Sequence, residues 1–162
     1  EFDIHGYSIN PLEDEVTKKL AKSFDSFKNI SNESDDLANK KIREDNLDIL
    51  IDLMGYTKGS RMAILSKRAA PIQISYLAYP STTGSDQIDY IIADKNIIPK
   101  NKKSFYTEKV VYLPKTFICF DDSTKISATY QPNQFANRNE NSFIFVGFHK
   151  VEKLNISTLS FV

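Results

Sequence analysis

Two loops that combine glycines with hydroxyl side chains are the segments of this chain in which binding chemistry is most readily placed. Residues 55–61 read GYTKGSR, and residues 78–84 read AYPSTTG. Glycines permit unusual backbone angles, and the free amides at the start of a following helix can hold an anion. The serine and threonine hydroxyls of the second loop suit contact with a sugar or a phosphate. Each loop alone is more often an ordinary turn, and neither matches a Walker loop or a dinucleotide-binding fingerprint.

The residues that could ligate a metal or act as a nucleophile are few. The histidines are His5 and His149, and Cys119 is the single cysteine. This inventory cannot form a structural zinc site, and nothing in the sequence brings the cysteine to a histidine. We therefore expect no metal.

Charged side chains near strand ends leave two interpretations open. Aspartates lie in or near the predicted strands at positions 48, 52, 89 and 94. A paired-carboxylate hydrolase is conceivable, but carboxylates at strand ends commonly cap the turn that follows.

A lysine in the segment 148–153, just after a predicted strand, could neutralise a phosphate or simply be solvated. Residue types alone favour the solvated lysine.

Alternating strand and helix patterns must position these loops. Short apolar runs predict strands at residues 2–7, 27–30, 47–53, 72–79, 88–93 and 109–113. Apolar residues spaced four apart predict an amphipathic helix over residues 12–24, Ser34 is placed to cap a second helix, and a third is expected over residues 61–67. The run at 47–53 is apolar enough to be covered on both faces. The pattern predicts an α/β fold, a Rossmann-like parallel sheet with flanking helices.

The composition changes twice along the chain. Residues 1–120 carry the sheet pattern, residues 121–141 are polar and predict a linker, and residues 142–162 begin with an apolar strand pattern. We interpret the last part as the truncated start of a second domain. Because Glu1 leads directly into a strand and a helical spacing stops at Val162, we expect the natural protein to continue in both directions.

The overall composition excludes several function classes. The 162 residues carry 21 basic and 21 acidic side chains, so no net charge draws the chain to nucleic acid or anionic lipid. No apolar run approaches the roughly 20 residues of a membrane helix, and no signal peptide opens the chain. The single cysteine favours a reducing compartment. We expect a cytoplasmic protein without nucleic-acid or membrane partners.

Taken together, the segments of residues 45–117 resemble the O-linked N-acetylglucosamine transferase and SPINDLY-like glycosyltransferase family, in its bacterial-type members. The matching segments are DNLDILIDLMGYTKGSR at 45–61, APIQ at 70–73, LAYPSTTG at 77–84, DYIIAD at 89–94, YTEK at 106–109 and LPKTF at 113–117. Each segment alone would be a weak signal, but their order and spacing agree jointly. Residues 1–44 resemble the preceding part of the same domain in pattern only, and residues 142–159 resemble the start of the second catalytic domain.

This resemblance implies a metal-independent, inverting glycosyltransferase with the two Rossmann-like domains of the glycosyltransferase B fold, usually preceded by tetratricopeptide repeats. Such enzymes transfer a sugar from a nucleotide donor, here UDP-GlcNAc, to serine or threonine of a protein. By the same analogy, Tyr79 projects into the active cleft and Lys153 binds the donor diphosphate. The neighbouring residues form a possible cleft loop: Pro80, Ser81, Thr82 and Thr83. No cofactor is implied.

Departures from the family pattern keep alternatives open. Ser81 and Ala78 stand where the family usually has glycine, and Lys150 stands where a glutamine is frequent. A transferase that uses another donor such as GDP-fucose, or a non-catalytic binding domain of the same fold, is therefore the alternative. By the same resemblance, the family's active-site histidines and aspartate correspond to positions upstream of residue 1 and most nucleotide contacts to positions downstream of residue 162, so we expect this fragment alone to be inactive.

Overall fold

A computed structural model describes residues 2–120 of the chain. The strands are β1 (His5–Ser8), β2 (Ser26–Asn29), β3 (Ile49–Asp52), β4 (Ile72–Ser75), β5 (Tyr90–Ala93) and β6 (Lys109–Tyr112). The helices are α1 (Glu15–Ala21), α2 (Asp35–Glu44) and α3 (Ala63–Ser66), with a 3-10 helix at Lys100–Phe105. The predicted linker and the predicted second-domain start, with Lys153, lie outside the described residues.

Every strand pairing in the described residues is parallel. Strand β1 pairs with β2 in a two-stranded sheet, and the other four strands form a sheet in the order β3-β4-β5-β6. Helices α1, α2 and α3 lie in turn between the first four strands and a 3-10 helix lies between β5 and β6, so the predicted α/β fold is confirmed. Within residues 2–120, no helix combines the length and the apolar character that a membrane crossing requires.

The observed strands are shorter than the predicted ones, most clearly at β4. The prediction of a strand over 72–79 is wrong beyond Ser75, because Leu77 has a φ of 78° and cannot continue an extended strand. Strand β3 likewise ends at Asp52, whose carboxylate accepts hydrogen bonds from the next two free amides, those of Met54 and Gly55. Side-chain and backbone turn chemistry thus ends these strands before the apolar pattern does.

The expectation that β3 is covered on both faces is wrong for the described residues. Ile49 and Ile51 are 49% and 46% exposed, whereas Leu50 between them packs against the main core. The alternation places one face of the sheet on the core and leaves the other open among the residues described.

Helix α1 is also shorter than predicted, and its apolar stripe is not buried. The helix begins after Asp14, whose carboxylate accepts from the Thr17 amide at 2.8 Å, and ends at Ala21. Val16 and Leu20 of the predicted apolar stripe are exposed among residues 2–120. Helix α2 does begin as predicted, since the Ser34 hydroxyl accepts from the amide three residues on.

The main core lies between helices α2 and α3 and the covered sides of β1, β2 and β3. Its buried members are Ile30, Ala38, Ile42, Ile64, Leu65, Ala69 and Ile88. A smaller cluster of Ile91, Ala93 and Ile98 lies under β5 and β6. Gln73, fully buried, joins α3 to the sheet by donating to the carbonyls of Leu65 and Gln87.

Candidate functional site

The two loops singled out in the sequence lie at the same edge of the four-stranded sheet. One follows β3 and the other follows β4, and parallel strands bring their carboxyl ends together. Open parallel sheets bind ligands beyond this edge. The edge formed by residues 53–61 and 76–85, called the carboxyl edge below, is the candidate site.

Tyr79 packs directly on Gly55, which brings the two loops into contact. Gly55 has a φ of +55°, and a Cβ built on it would lie 2.2 Å from the Tyr79 Cβ. No residue with a side chain fits there without moving the tyrosine. The Tyr56 ring meets the Tyr79 ring edge-on, with ring centroids 5.7 Å apart. The tyrosine predicted to face the cleft is therefore held by the loop that follows the neighbouring strand.

A strained turn at Leu77 sets the direction in which the second loop, residues 78–84, leaves β4. The Ala78 amide donates to the Tyr76 carbonyl at 3.3 Å around Leu77, whose φ is 78°. This geometry is that of a γ-turn with positive φ, which is rare for a residue with a side chain and costs about 1–3 kcal/mol. Strain of this kind is kept where the surrounding structure fixes it, and it is concentrated at functional sites.

Tyr76, the first residue of this turn, is held by hydrogen bonds from both its backbone amide and its side-chain hydroxyl. Its amide donates to the Asp52 carbonyl at 2.9 Å, and its phenol donates to the Phe117 carbonyl at 2.7 Å. The segment after β6 and the end of β3 thus fix the residue from which the turn departs.

The hydroxyls of Thr82 and Thr83, predicted to suit a substrate, make contacts inside the protein. The Glu108 carboxylate accepts from the Thr82 hydroxyl at 2.8 Å and from the Thr83 amide at 2.7 Å, and the Thr83 hydroxyl also donates to it. Glu108 is only 4% exposed. Burial acts to raise its pKa, but the hydrogen bonds from Thr83 and Thr82 together outweigh burial, so the pKa lies below its ordinary value. These threonines position the loop, and their contact with substrate stays a prediction.

The carboxylates at the carboxyl edge act as turn caps. Asp52 accepts from two backbone amides, as described above. Asp94, at the end of β5, accepts from the amides of Asn96, Ile97 and Phe117 at 2.8 to 2.9 Å. The bond from Ile97, with those from Phe117 and Asn96, holds the pKa of Asp94 below its ordinary range. The capping interpretation is the one that the geometry favours.

Several polar groups at the carboxyl edge remain open to a ligand. Pro80, Ser81 and Lys58 are exposed, and Tyr79 is half-buried. Neither the Tyr79 hydroxyl nor the Ser81 hydroxyl has a hydrogen-bond partner among residues 2–120. In the same part of the chain, no group of three or more histidine, cysteine, aspartate or glutamate side chains could hold a metal ion.

Three residues of the site were not singled out from the sequence. Gly55 was treated only as a flexible position, and Leu77 and Glu108 were treated only as parts of motifs. Glu108 carried no signal that separates it from a solvated acid, because the strand that follows it is itself partly exposed. Leu77 carried none, since no residue type announces a γ-turn of positive φ.

Comparisons with known proteins agree with this arrangement. Residues 1–157 match the family model described as glycosyl transferase family 41. The probable UDP-N-acetylglucosamine–peptide N-acetylglucosaminyltransferase SEC of Arabidopsis thaliana is 35% identical over 146 residues, which are 87% of this chain and 15% of the relative. The UDP-N-acetylglucosamine–peptide N-acetylglucosaminyltransferase of Caenorhabditis elegans is 46% identical over 84 residues, 52% of this chain and 7% of the relative.

A solved structure shares the fold. A mutant of the Thermobaculum terrenum O-GlcNAc transferase superimposes with a TM-score of 0.67 at 30% identity, over 70% of this chain and 22% of the other. The chain spans 15% of the length of the Arabidopsis relative, so it corresponds to a small part of such a protein.

Proposed function

Because this chain belongs to glycosyl transferase family 41, as the sequence resemblance predicted, we propose that the protein of which it forms part transfers N-acetylglucosamine from UDP-GlcNAc to serine and threonine hydroxyls of proteins. The observation that carries the proposal is the presentation of Tyr79 at the carboxyl edge, over a glycine and after a strained turn. The names of the Arabidopsis and Caenorhabditis relatives, both peptide N-acetylglucosaminyltransferases, support this donor and this class of acceptor.

The carboxyl edge contributes one wall of the substrate cleft in this proposal. Tyr79, with its hydroxyl unpartnered among residues 2–120, contacts the sugar or the acceptor. The exposed backbone of Pro80 and Ser81 continues the wall. Thr82 and Thr83 hold that backbone in place through Glu108. The loop therefore orients substrate rather than reacting with it.

In the proposed transfer, the acceptor hydroxyl oxygen attacks the anomeric carbon of the donor. The bond from that carbon to the diphosphate breaks, and its electron pair leaves with UDP. Lys153, which lies outside the described residues, stabilises the charge that develops on the diphosphate. The hydroxyl proton passes to a base elsewhere in the protein, because Asp52, Asp94 and Glu108 are already occupied by backbone and threonine donors. Metal-independent transfer and a cytoplasmic location stay predictions of the sequence.

Because this proposal places the base elsewhere in the protein, we expect residues 1–162 alone to be inactive. A cleft wall without the base and without most nucleotide contacts gives neither turnover nor tight donor binding. Isothermal titration of the isolated chain with UDP-GlcNAc should therefore show no binding at micromolar concentrations.

The donor is tested on the whole protein by measuring nucleotide release from a panel of sugar nucleotides in the presence of an acceptor lysate. We expect release of UDP from UDP-GlcNAc, and a loss of at least tenfold in the variant Lys153→Ala because the leaving diphosphate loses a positive charge. Lys40→Ala, which removes an exposed lysine of α2, is the matched control and should keep full activity.

Two other outcomes point to the alternatives. Release from GDP-fucose instead would keep the transferase and change the donor. An absence of release from every donor would identify a non-catalytic binding domain of the same fold.

A further inference from the structure

The surface charge of residues 95–120 is all of one sign. Six lysines, all exposed, lie in this segment: Lys95, Lys100, Lys102, Lys103, Lys109 and Lys115. Its single acidic residue is Glu108, which is buried and accepts hydrogen bonds from Thr82 and Thr83. The whole chain has 21 basic and 21 acidic side chains, so the positive excess here is local.

The ammonium groups of these lysines form no ion pair with a carboxylate among residues 2–120. Lysines earlier in the chain do form such pairs, since Lys28 binds Asp45 and Lys67 binds Asp36. The charge of the later lysines is therefore available to an anion from outside the described residues.

Two of the six lysines lie at the edge of the sheet that carries the candidate site. Strands β5 and β6 run parallel to β3 and β4, so the loops that follow all four strands leave at one edge. Lys95 follows β5 and Lys115 follows β6. Their loops are in contact, because the Asp94 carboxylate accepts from the Phe117 amide at 2.9 Å. Lys109, by contrast, begins β6 and lies at the other end of that strand.

The 3-10 helix presents three more lysines. It follows the loop after β5 and has no buried residue. Residues three apart are eclipsed in a 3-10 helix, so Lys100 and Lys103 lie on one side of it, with Lys102 beside them. The Lys103 ammonium stands over the Tyr112 ring, 5.6 Å from its centroid, which orients this side chain. Like charges held close together repel, and a bound anion would remove that cost.

Two hydrogen bonds join the lysine-bearing segments to the carboxyl edge. Directly after the 3-10 helix, the Tyr106 hydroxyl donates to the Pro80 carbonyl at 3.0 Å. Beyond β6, the Phe117 carbonyl accepts from the Tyr76 hydroxyl at 2.7 Å. Pro80 and Tyr76 flank Tyr79 within the carboxyl edge. The lysine-bearing segments therefore pack against the surface proposed as a wall of the cleft.

This arrangement suits an extended acidic polypeptide better than a compact phosphate. The ammonium groups are exposed and distributed over two loops and a helix, whereas a phosphate is held by donors that converge on one point. Arginine, whose planar fork matches a phosphate with two bonds, does not occur in residues 95–120. Successive carboxylates of an extended chain can each meet one ammonium group.

We propose that Lys95, Lys100, Lys102, Lys103 and Lys115, called the lysine surface below, bind an acidic segment of a partner polypeptide. The inference rests on the proposed function for the identity of that partner, which is the acceptor protein. The acidic segment then flanks the serine or threonine that receives the sugar. Attraction between opposite charges favours the encounter with acidic acceptors and selects them over neutral ones.

The test compares the binding of two fluorescent peptides to the whole protein in the absence of donor. Both peptides carry serine and threonine next to a run of a single residue type, which is glutamate in one and glutamine in the other. By fluorescence anisotropy, we expect the glutamate peptide to bind about tenfold more tightly, because several exposed ion pairs of small individual strength act together. The difference should vanish in about 1 M salt, where charges are screened beyond about 3 Å.

A triple variant assigns the binding to the lysine surface. Lys100→Gln, Lys102→Gln and Lys103→Gln combined should remove most of the preference for the glutamate peptide. When UDP-GlcNAc is added, the same variant should raise KM for the glutamate peptide about tenfold rather than lower kcat, because the lysines bind the acceptor and do not take part in the transfer.

The matched control combines Lys18→Gln, Lys19→Gln and Lys22→Gln, which removes the same charge from exposed positions in and directly after α1. It should keep the preference. Equal affinity for the two peptides, or equal losses in the two triple variants, would overturn the proposal. Binding of phosphatidylserine vesicles or single-stranded nucleic acid without a preference for the glutamate peptide would also overturn it, and would make a membrane or a nucleic acid the partner.

The same measurements separate this proposal from the proposed transferase. A preference for the glutamate peptide without UDP release from any peptide would contradict the transferase and retain the lysine surface. UDP release with no preference between the peptides would retain the transferase and contradict the lysine surface.

Discussion

At the scale of single residues, the carboxyl edge is fixed by contacts that do not use the Tyr79 hydroxyl, the group proposed to contact substrate. Gly55 makes room for Tyr79, and Glu108 binds the threonines of the loop that Tyr79 begins. The sequence motifs contain all of these residues and predicted that they are parts of one domain. They could not predict that the threonine hydroxyls face a buried carboxylate, because Glu108 is 25 residues from Thr83.

The contact between Gly55 and Tyr79 makes a sharp prediction for stability. Gly55→Ala adds a Cβ 2.2 Å from the Tyr79 Cβ at a φ of +55°, so it adds a clash to backbone strain. We expect the free energy of unfolding to fall by about 2–4 kcal/mol in urea titrations. Gly59→Ala is the control, since its φ is +86° but its Cβ meets nothing within 4 Å. Equal losses in the two variants would show that the tyrosine contact is not tight.

The buried Glu108 predicts how stability depends on pH. Its pKa in the folded protein lies below the ordinary 4.5, so the ionised carboxylate stabilises the fold above that value. This contribution is lost as the pH falls through the folded pKa. Glu108→Gln should lower stability at pH 7 and flatten the decline below pH 4.5, as measured by thermal unfolding across pH. Glu15→Gln, at an exposed carboxylate of α1, should leave the profile unchanged.

At the scale of elements, the sequence predicted the presence and order of the strands better than their ends. The predicted strand over 72–79 contains β4, but it could not show that Leu77 turns back at positive φ. Helix α2 was predicted from its cap because Ser34 acts locally, through an amide three residues away. Local turn chemistry at Asp52 and Leu77 ends β3 and β4, whereas long-range contacts hold the loops between elements, and spacing along the chain does not encode those contacts.

Arg61 is such a long-range contact, and it ties the loop after β3 to the region between β2 and α2. Its guanidinium donates to the carbonyls of Ile30 and Glu33 and to the Asp35 carboxylate, at 2.6 to 2.8 Å. We expect Arg61→Lys to lower the free energy of unfolding by about 2 kcal/mol, because an ammonium cannot reproduce a planar fork of donors. Lys67→Ala, which breaks the exposed pair with Asp36, should cost less than about 0.5 kcal/mol in the same urea titrations. A small effect of Arg61→Lys would show that the fork is dispensable.

At the scale of the whole molecule, residues 2–120 form one compact α/β unit, whose carboxyl edge is one wall of a cleft in the proposed function. The sequence predicted the α/β fold and the family, because several motifs in a fixed order are far more specific than any one of them. It did not predict that Ile49 and Ile51 are exposed within residues 2–120, because residues 47–53 are as apolar as a strand covered on both sides.

The most direct test of the proposed transferase is UDP release by the whole protein from UDP-GlcNAc, with and without Tyr79. We expect Tyr79→Ala to lower kcat/KM at least tenfold, while Phe105→Ala, at an exposed ring of the 3-10 helix, leaves it unchanged. Tyr79→Phe separates the hydroxyl from the ring, and should fall between the wild type and Tyr79→Ala if both contact substrate. Full activity of Tyr79→Ala would contradict the account, because the carboxyl edge would then lie outside the catalytic cleft.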